Sequence, residues 1–312
     1  MTVRCIEASI VIATRNRADT LRRTFESLAL QSCQPARIVV VDASDDSRTR
    51  TLCLEQRVTA LTAKIVWQKA TEVGAASQRN QGILACTHEV IGFFDDDIVF
   101  RVDCIARLWS ALRADESLGG VSAMIENQRY QTPGRVSRIM FRLMAGRREA
   151  SYAGRVLGPA VNLLPEDDDR LPEVVQVEWL NTTCVMYRRE ALPRPPFSSH
   201  FTGYSMMEDL TLSLTVGRRW KLANARTARI LHDSQRGTHK SDVAALAEME
   251  LVNRHFVMTR ILFRSGWLDY LRLAIWELFQ IAVTATSRPG LRSLHRIVIG
   301  KVRGLRRLVT AS

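Results

Sequence analysis

The run Arg37-Ile38-Val39-Val40-Val41-Asp42 constrains the fold of this 312-residue chain more than any other segment. Four β-branched apolar residues in a row leave a strand without a polar side, so both of its faces must be covered. Residues 9–13, 65–67, 90–94 and 120–125 read as further short apolar strands. Segments of helical period lie between them. Residues 17–31 carry Leu21, Phe25 and Leu28 on one face, and a second stretch runs from the loop at 42–46 to about Ala60. Gly74 opens a third towards Thr87, and a fourth at 103–113 buries Ile105, Leu108, Trp109 and Leu112. Parallel strands require crossover connections, so this alternation predicts a mostly parallel, doubly wound α/β sheet.

Ligands bind such sheets outside the carboxyl ends of the strands. Three of those ends are conspicuously polar: Thr14-Arg15-Asn16, Asp42-Ala43-Ser44 and Asp95-Asp96-Asp97. The triple aspartate lies between Phe93-Phe94 and Ile98-Val99-Phe100. Carboxylates crowded at the end of a buried strand repel one another and are costly to desolvate. A hard cation with oxygen ligands makes such a cluster tolerable. An acidic turn capping the next helix is the competing use, but a cap does not need three aspartates between two apolar blocks.

Past Glu126 the periodicity fades to about Pro172, in a segment punctuated by glycine and proline and charged by arginine. Regular structure returns at 174–180 and 182–187, breaks at 192–196, and resumes as a helix at 208–220 with Leu210, Leu214 and Val216 or Gly217 inward. Residues 228–231 form another apolar strand, which ends on His232.

Composition narrows the function classes. Six scattered cysteines without a C-x-x-C pair read as reduced and buried, in a cytoplasmic protein. The apolar stretch at 8–13 is too short for a signal peptide, and no segment reaches the uncharged length that spans a bilayer. The net charge is +12, and from Arg254 onward eleven basic residues face only Asp269 and Glu277. That asymmetry points to an anionic partner.

Five pieces in order carry a resemblance to a known family. They are residues 9–17 (Ser-Ile-Val-Ile-Ala-Thr-Arg-Asn-Arg), residues 38–46 ending Asp-Ala-Ser-Asp-Asp, and residues 74–82, which include Arg79 and Asn80. Phe93-Phe94-Asp95-Asp96-Asp97 follows, and then Gly203-Tyr204 with Glu208-Asp209-Leu210. With this order and spacing the chain resembles the family 2 glycosyltransferases, inverting enzymes of the GT-A fold, over roughly residues 9–232. The resemblance implies a Rossmann-like, mostly parallel sheet with flanking helices, to which this chain adds a C-terminal helical extension. The implied catalytic domain covers residues 1–240, with a nucleotide-sugar half at 1–125 and an acceptor half at 126–240; residues 241–312 form the extension.

The resemblance also implies roles. Thr14, Arg15, Asn16, Asp42 and Ser44 would hold the base and ribose, with Gly74 and Arg79 close by. Asp95 and Asp97 form the D-x-D element on the donor side, with Asp96 beside them, and Asp97 would ligate Mg²⁺ or Mn²⁺. Asp209 would be the base that deprotonates the acceptor, and Glu208 its orienting neighbour. His232 would touch the metal or the diphosphate, although a histidine closing a strand can equally be structural. Arg236 would clamp the diphosphate. The donor would be UDP-, dTDP- or GDP-linked, and the acceptor a lipid-linked, glycolipid or cell-envelope glycan. Two departures stand out. Gly217-Arg218-Arg219-Trp220 lacks the glutamine of the Q-x-x-R-W signature, which points to single addition rather than polymerisation. Asp42-Ala43-Ser44 replaces the two acids and glycine of many relatives and leaves the base open.

In the last third, Leu291, Leu294, Val298, Val302, Leu305 and Val309 recur with helical spacing among arginines, after an aromatic, apolar helix starting near Trp267. Such faces suit an anionic membrane surface through residues 267–309, placing the chain peripherally on the inner face of the cytoplasmic membrane. Packing against the domain or a homo-oligomeric contact is the competing use of those faces. A nucleotidyltransferase would want a glycine-rich loop after the first strand, and residues 13–17 offer none. A non-enzymatic nucleic-acid binder remains as an alternative from charge alone, but no nucleic-acid partner is expected.

Overall fold

The computed structural model describes residues 3–55, 61–234 and 242–310. The first half alternates as expected: β1 (Arg4–Thr14), α1 (Ala18–Ala29), β2 (Cys33–Asp42), α2 (Arg48–Leu54), β3 (Lys64–Lys69), α3 (Ala75–Ile83) and β4 (Val90–Asp95). Next come β5 (Ile98–Phe100), α4 (Cys104–Ala114), β6 (Leu118–Ile125), α5 (Arg135–Ala145) and the short pair β7 (Val156–Leu157) and β8 (Val161–Asn162). The chain continues with β9 (Val174–Val177), β10 (Cys184–Arg188), α6 (Glu208–Val216), β11 (Lys221–His232) and α7 (Val243–Phe256). It finishes with α8 (Trp267–Ala285) and α9 (Arg288–Thr310). The helix expected to run to about Ala60 is regular to Leu54; residues 56–60 lie outside the described residues.

The chain divides into two compact units, residues 1–130 with 164–235, and residues 131–163 with 236–312. Where the sequence suggested one boundary near 240, the second unit also takes in residues 131–163.

The first unit is built on a nine-stranded sheet ordered β3-β2-β1-β4-β10-β6-β11-β5, with β9 alongside β11. Strands β1 to β4 are parallel, β10 runs antiparallel between β4 and β6, and β11 runs parallel to β6. The sheet is therefore mixed but mostly parallel, with helices on its flanks. The β-branched run is buried as its composition requires: Ile38, Val39, Val40 and Val41 are wholly enclosed. Ile10, Ile12 and Phe94 join Leu21, Phe25 and Leu28 of α1 and Leu108 and Leu112 of α4 in the principal core. Gly82 lets α3 lie close on the sheet; a Cβ there would stand 2.4 Å from Val11 Cγ1. Five cysteines are buried, whereas Cys5 is exposed, and all six are free.

In the second unit α9 packs on α7 through Gly300 and Gly304, where a Cβ on Gly300 would meet the Ala244 carbonyl at 2.2 Å. A buried ionic quartet ties three helices together. Arg254 of α7 pairs with Glu250 at 2.8 Å and with Glu277 of α8 at 3.1 Å. Lys301 of α9 reaches Glu250 at 2.8 Å and Glu277 at 2.6 Å. α5 docks by Phe141 and Met144 in a cluster with Tyr152 and Trp276. The expected apolar stripe of α9 is not its packing face: Leu291, Val298, Val302, Leu305 and Val309 are all exposed. Among the described residues no helix is long and apolar enough to cross a membrane.

Candidate active site

Strand register brings the polar strand ends into one row. Thr14 pairs with Asp42, Asp42 with Lys69, and Ala13 with Asp95. Each apolar strand thus delivers its terminal polar residue to the same edge, where a parallel sheet accepts ligands. The far end of β11 closes the row. It pairs antiparallel with β5, His232 opposite Ile98, which sets the imidazole beside Asp97.

Asp95, Asp97 and His232 converge. One ligand atom from each lies within 4.8 Å of the others, and this group is able to hold a metal ion. Asp97 Oδ1 lies 3.1 Å from His232 Nε2, while its Oδ2 accepts from Arg17 at 2.9 Å. His232 Nδ1 meets the Gln128 amide at 3.1 Å, an outer contact of the kind that fixes a ligand imidazole. Burial pushes the Asp97 carboxyl up, but His232 and Arg17 outweigh it and hold the group below the ordinary aspartate range. Two carboxylates and an imidazole fit a borderline-hard divalent cation.

Asp96 turns away from this group. Its carboxylate accepts from the Thr14 hydroxyl at 2.6 Å and from Arg17 at 2.6 Å, and its carbonyl accepts from Thr24. Burial raises its carboxyl to about 7 against the pull of Arg17. Of the triplet, the outer two aspartates face the candidate cation position, and the central one anchors the loop to β1 and α1.

Arg79, expected near the donor, is 5% exposed and bridges two acids of the site. It donates to Asp95 Oδ1 at 2.7 Å and, through its other terminal nitrogen, to Glu208 Oε1. Its guanidinium also sits 5.6 Å from the centre of the Phe197 ring. Glu208 Oε2 is buried with no hydrogen-bond partner among the described residues. One arginine thus bridges an aspartate of β4 and the first residue of α6.

Asp209 follows on the first turn of α6, and its Oδ1 accepts from the Leu210 amide at 2.7 Å. Burial raises its carboxyl to about 6; the amide and Arg79 pull it down, and Asp95 adds to the rise. The approach to α6 is strained, with Ser205 at φ 55° and Met207 at φ 71°. Non-glycine residues occupy that region at a cost, and such strain concentrates at functional sites. Tyr204, in the same loop, is raised by burial and by the field of Asp95, Asp209 and Asp97, so it faces the carboxylates.

The residues expected to hold the nucleotide gather around β2. Asp42 Oδ1 accepts from the Ser44 amide at 2.8 Å and Oδ2 from Trp67 Nε1 at 3.1 Å. Asn16, at φ 56°, exchanges two hydrogen bonds with Asp45, and its amide donates to Ser44 Oγ at 2.8 Å. Arg15 is exposed, 3.8 Å from Asp45. Lys69 donates to the Ser44 carbonyl. Gly74, at φ 157°, is the N-cap of α3 and bridges to Gly203. Gln78 then ties this helix to the sheet, donating to the Thr14 and Val41 carbonyls at 3.0 and 2.8 Å. Arg236 lies outside the described residues.

Sequence reasoning missed Arg17, Trp67, Gln78 and Gln128. Arg17 and Gln78 stand inside the recognised pieces, where position rather than residue type gives them roles. Trp67 was read only as strand composition. Nothing in the sequence marks Gln128, which depends on long-range pairing.

A family model described as glycosyl transferase family 2 matches residues 9–192. No curated protein matches the chain. Among solved structures, the mannosyltransferase PcManGT from Pyrobaculum calidifontis in complex with GDP-Man and Mn²⁺ is similar at a TM-score of 0.57 and 14% identity. That likeness covers 96% of this chain and 87% of the other. GalNAc-T7 with UDP, GalNAc and Mn²⁺ is similar at 0.52 and 14% identity, over 73% of this chain and 44% of its own. These likenesses are of GT-A folds.

Proposed function

Since the chain belongs to glycosyl transferase family 2, we propose that it moves one hexosyl group from a nucleotide-sugar to a hydroxyl of a lipid-linked or envelope glycan, with inversion. The observation that carries this reading is the convergence of Asp95, Asp97 and His232 at the sheet edge that also bears Asp42 and faces Asp209. Asp95, Asp97 and His232 would hold the cation. The nitrogen ligand favours Mn²⁺ over the harder Mg²⁺, and both solved neighbours contain Mn²⁺. When bound, the cation supplies Lewis-acid stabilisation of the charge on the departing nucleoside diphosphate.

The chain's own groups do the rest. Asp42, ordered by the Ser44 amide and Trp67, presents acceptor oxygens to base or ribose donors. Asp209, ionised at neutral pH yet more basic than a solvated aspartate, takes the proton of the acceptor hydroxyl as that oxygen attacks the anomeric carbon. Attack from the face opposite the leaving group gives inversion in one displacement. Glu208 is engaged by Arg79, which supports the assignment of the base to Asp209. The exposed apolar residues of α8 and the exposed stripe of α9, the latter set among arginines, support contact with an anionic membrane.

Calorimetric titration of UDP-, dTDP- and GDP-linked sugars, with MnCl₂ and then with EDTA, tests the reading. One nucleotide is expected to bind in a cation-dependent manner. Asp97→Ala abolishes that binding, and Asp209→Asn keeps it while losing transfer. If no nucleotide binds in the presence of cation and candidate acceptor, the reading fails.

A further inference from the structure

The segment at 131–148 offered no clear period in the sequence, yet it forms α5, whose three faces have different chemistry. Phe141 and Met144 hold the helix to its own unit against Tyr152 and Trp276. Val136, Ile139 and Leu143, at i, i+3 and i+7, form a second face that points to solvent, 70%, 69% and 45% exposed. Arg135, Arg138 and Arg142 have the same spacing one residue earlier, so they line the adjacent face, and all three are exposed. Arg147 and Arg148 follow, Arg147 paired with Glu149 at 2.6 Å, and the helix itself contains no acid. A soluble surface helix puts its apolar residues inward and its charges outward. Here the inward face is filled by other residues, and three large aliphatic side chains remain beside three cations.

We propose that α5 is a bilayer-inserting element for anionic phospholipid, separate from α8 and α9. Aliphatic side chains flanked by arginines match the boundary between acyl chains and phosphate headgroups. Eleven residues make a helix about 16 Å long, which can lie in that boundary but cannot span it. A second copy of this chain would accept the aliphatic face but would set one row of arginines against another. Charge therefore favours the lipid surface. The inference rests on the reading that this chain works at an anionic membrane and adds to it an element outside residues 267–309.

The test is co-sedimentation of the full chain with vesicles of phosphatidylglycerol and phosphatidylcholine, against vesicles of phosphatidylcholine alone. Ile139→Asp with Leu143→Asp changes only exposed positions and is expected to weaken binding to the anionic vesicles about tenfold or more. Replacing Arg135, Arg138 and Arg142 by Gln is expected to weaken the same binding and to flatten its salt dependence. The emission of an Ile139→Trp variant, less that of the parent chain with its six tryptophans, reports insertion through an added blue shift with anionic vesicles. Undiminished binding by the α5 variants, alongside loss in Val302→Asp with Leu305→Asp, overturns the role of α5 and leaves the α8 and α9 reading standing. No binding by the parent chain overturns both. Concentration-dependent dimerisation that Ile139→Asp abolishes assigns the face to a second copy and also overturns the proposal.

Discussion

At the residue scale, the candidate site gathers carboxylates whose environments differ sharply. Burial of Asp209 outweighs the backbone donors and Arg79 that pull it down, so its carboxyl is raised to about 6. A general base must be ionised, and transfer is therefore expected to rise with pH through about 6 and to level off above it. The measurement is kcat against pH at saturating donor and cation; a profile flat down to pH 5 removes Asp209 from the role. Asp209→Asn is expected to lower kcat by about 10²- to 10⁴-fold with little change in donor affinity. Arg79 is a positioning residue of a different kind. Arg79→Ala leaves Asp95 and Glu208 without their shared counter-charge, and breaking a buried pair in this way costs about 3–5 kcal/mol. Thermal unfolding should show the loss. Arg79→Lys supplies charge but not the two-armed geometry, so stability should recover further than transfer does.

At the element scale, what the sequence made legible was what local pattern controls. The apolar runs of β1, β2 and β4 and the faces of α1 and α4 follow from period and composition. So does the row of polar strand ends, because parallel strands that stay in register from Ser9 to Thr14 align them. Three things depended on tertiary pairing. β5 is three residues directly after the aspartates and gains its identity only by pairing with β11. α5 has apolar residues at helical spacing (Val136, Ile139, Met140, Leu143 and Met144), but only tertiary packing shows which of them turn inward. Arg79 stands in a recognised piece of the sequence, but only the fold shows that Asp95 and Glu208 hold it. Gly82 shows the same dependence and can be tested. Nothing in its neighbours demands glycine, but α3 rests on Val11 and Val41 at that point. Gly82→Ala is expected to destabilise by about 1–3 kcal/mol, as overpacking does. Because Gln78 on the same helix holds the Thr14 and Val41 carbonyls, donor affinity should fall with it. A variant as stable as the parent, by chemical denaturation, would show that α3 has room to move.

At the scale of the whole molecule, the two units respond to acid in opposite senses. In the first, Asp209 is raised to about 6, so its ionised form is a cost to the folded state that develops as pH rises from about 4 through 6. Acidification from pH 7 to 5 relieves that cost. In the second, burial pushes Glu250 up, but Arg254 and Lys301 outweigh it and hold the carboxyl below the ordinary glutamate range. A depressed carboxylate contributes stability that is fully present above its unfolded pKa and is lost as pH falls through the folded one. The Glu250 contribution to the quartet is therefore present at neutral pH and is lost only as pH falls below the ordinary glutamate range, where its protonation takes one counter-charge from Arg254 and Lys301. Hydrogen exchange read by mass spectrometry, corrected for intrinsic rates, separates the units. Between pH 7 and 5 the protection of β1, β2 and β4 should hold or increase. In acid strong enough to protonate Glu250, amides of α7 and α9 should lose protection before those of the sheet. Lys301→Met should shift that loss to higher pH, since Glu250 then keeps only Arg254 to depress it. If α7 and α9 stay protected to pH 3 in the parent chain, the helices are held by their apolar and glycine contacts, and the quartet contributes little.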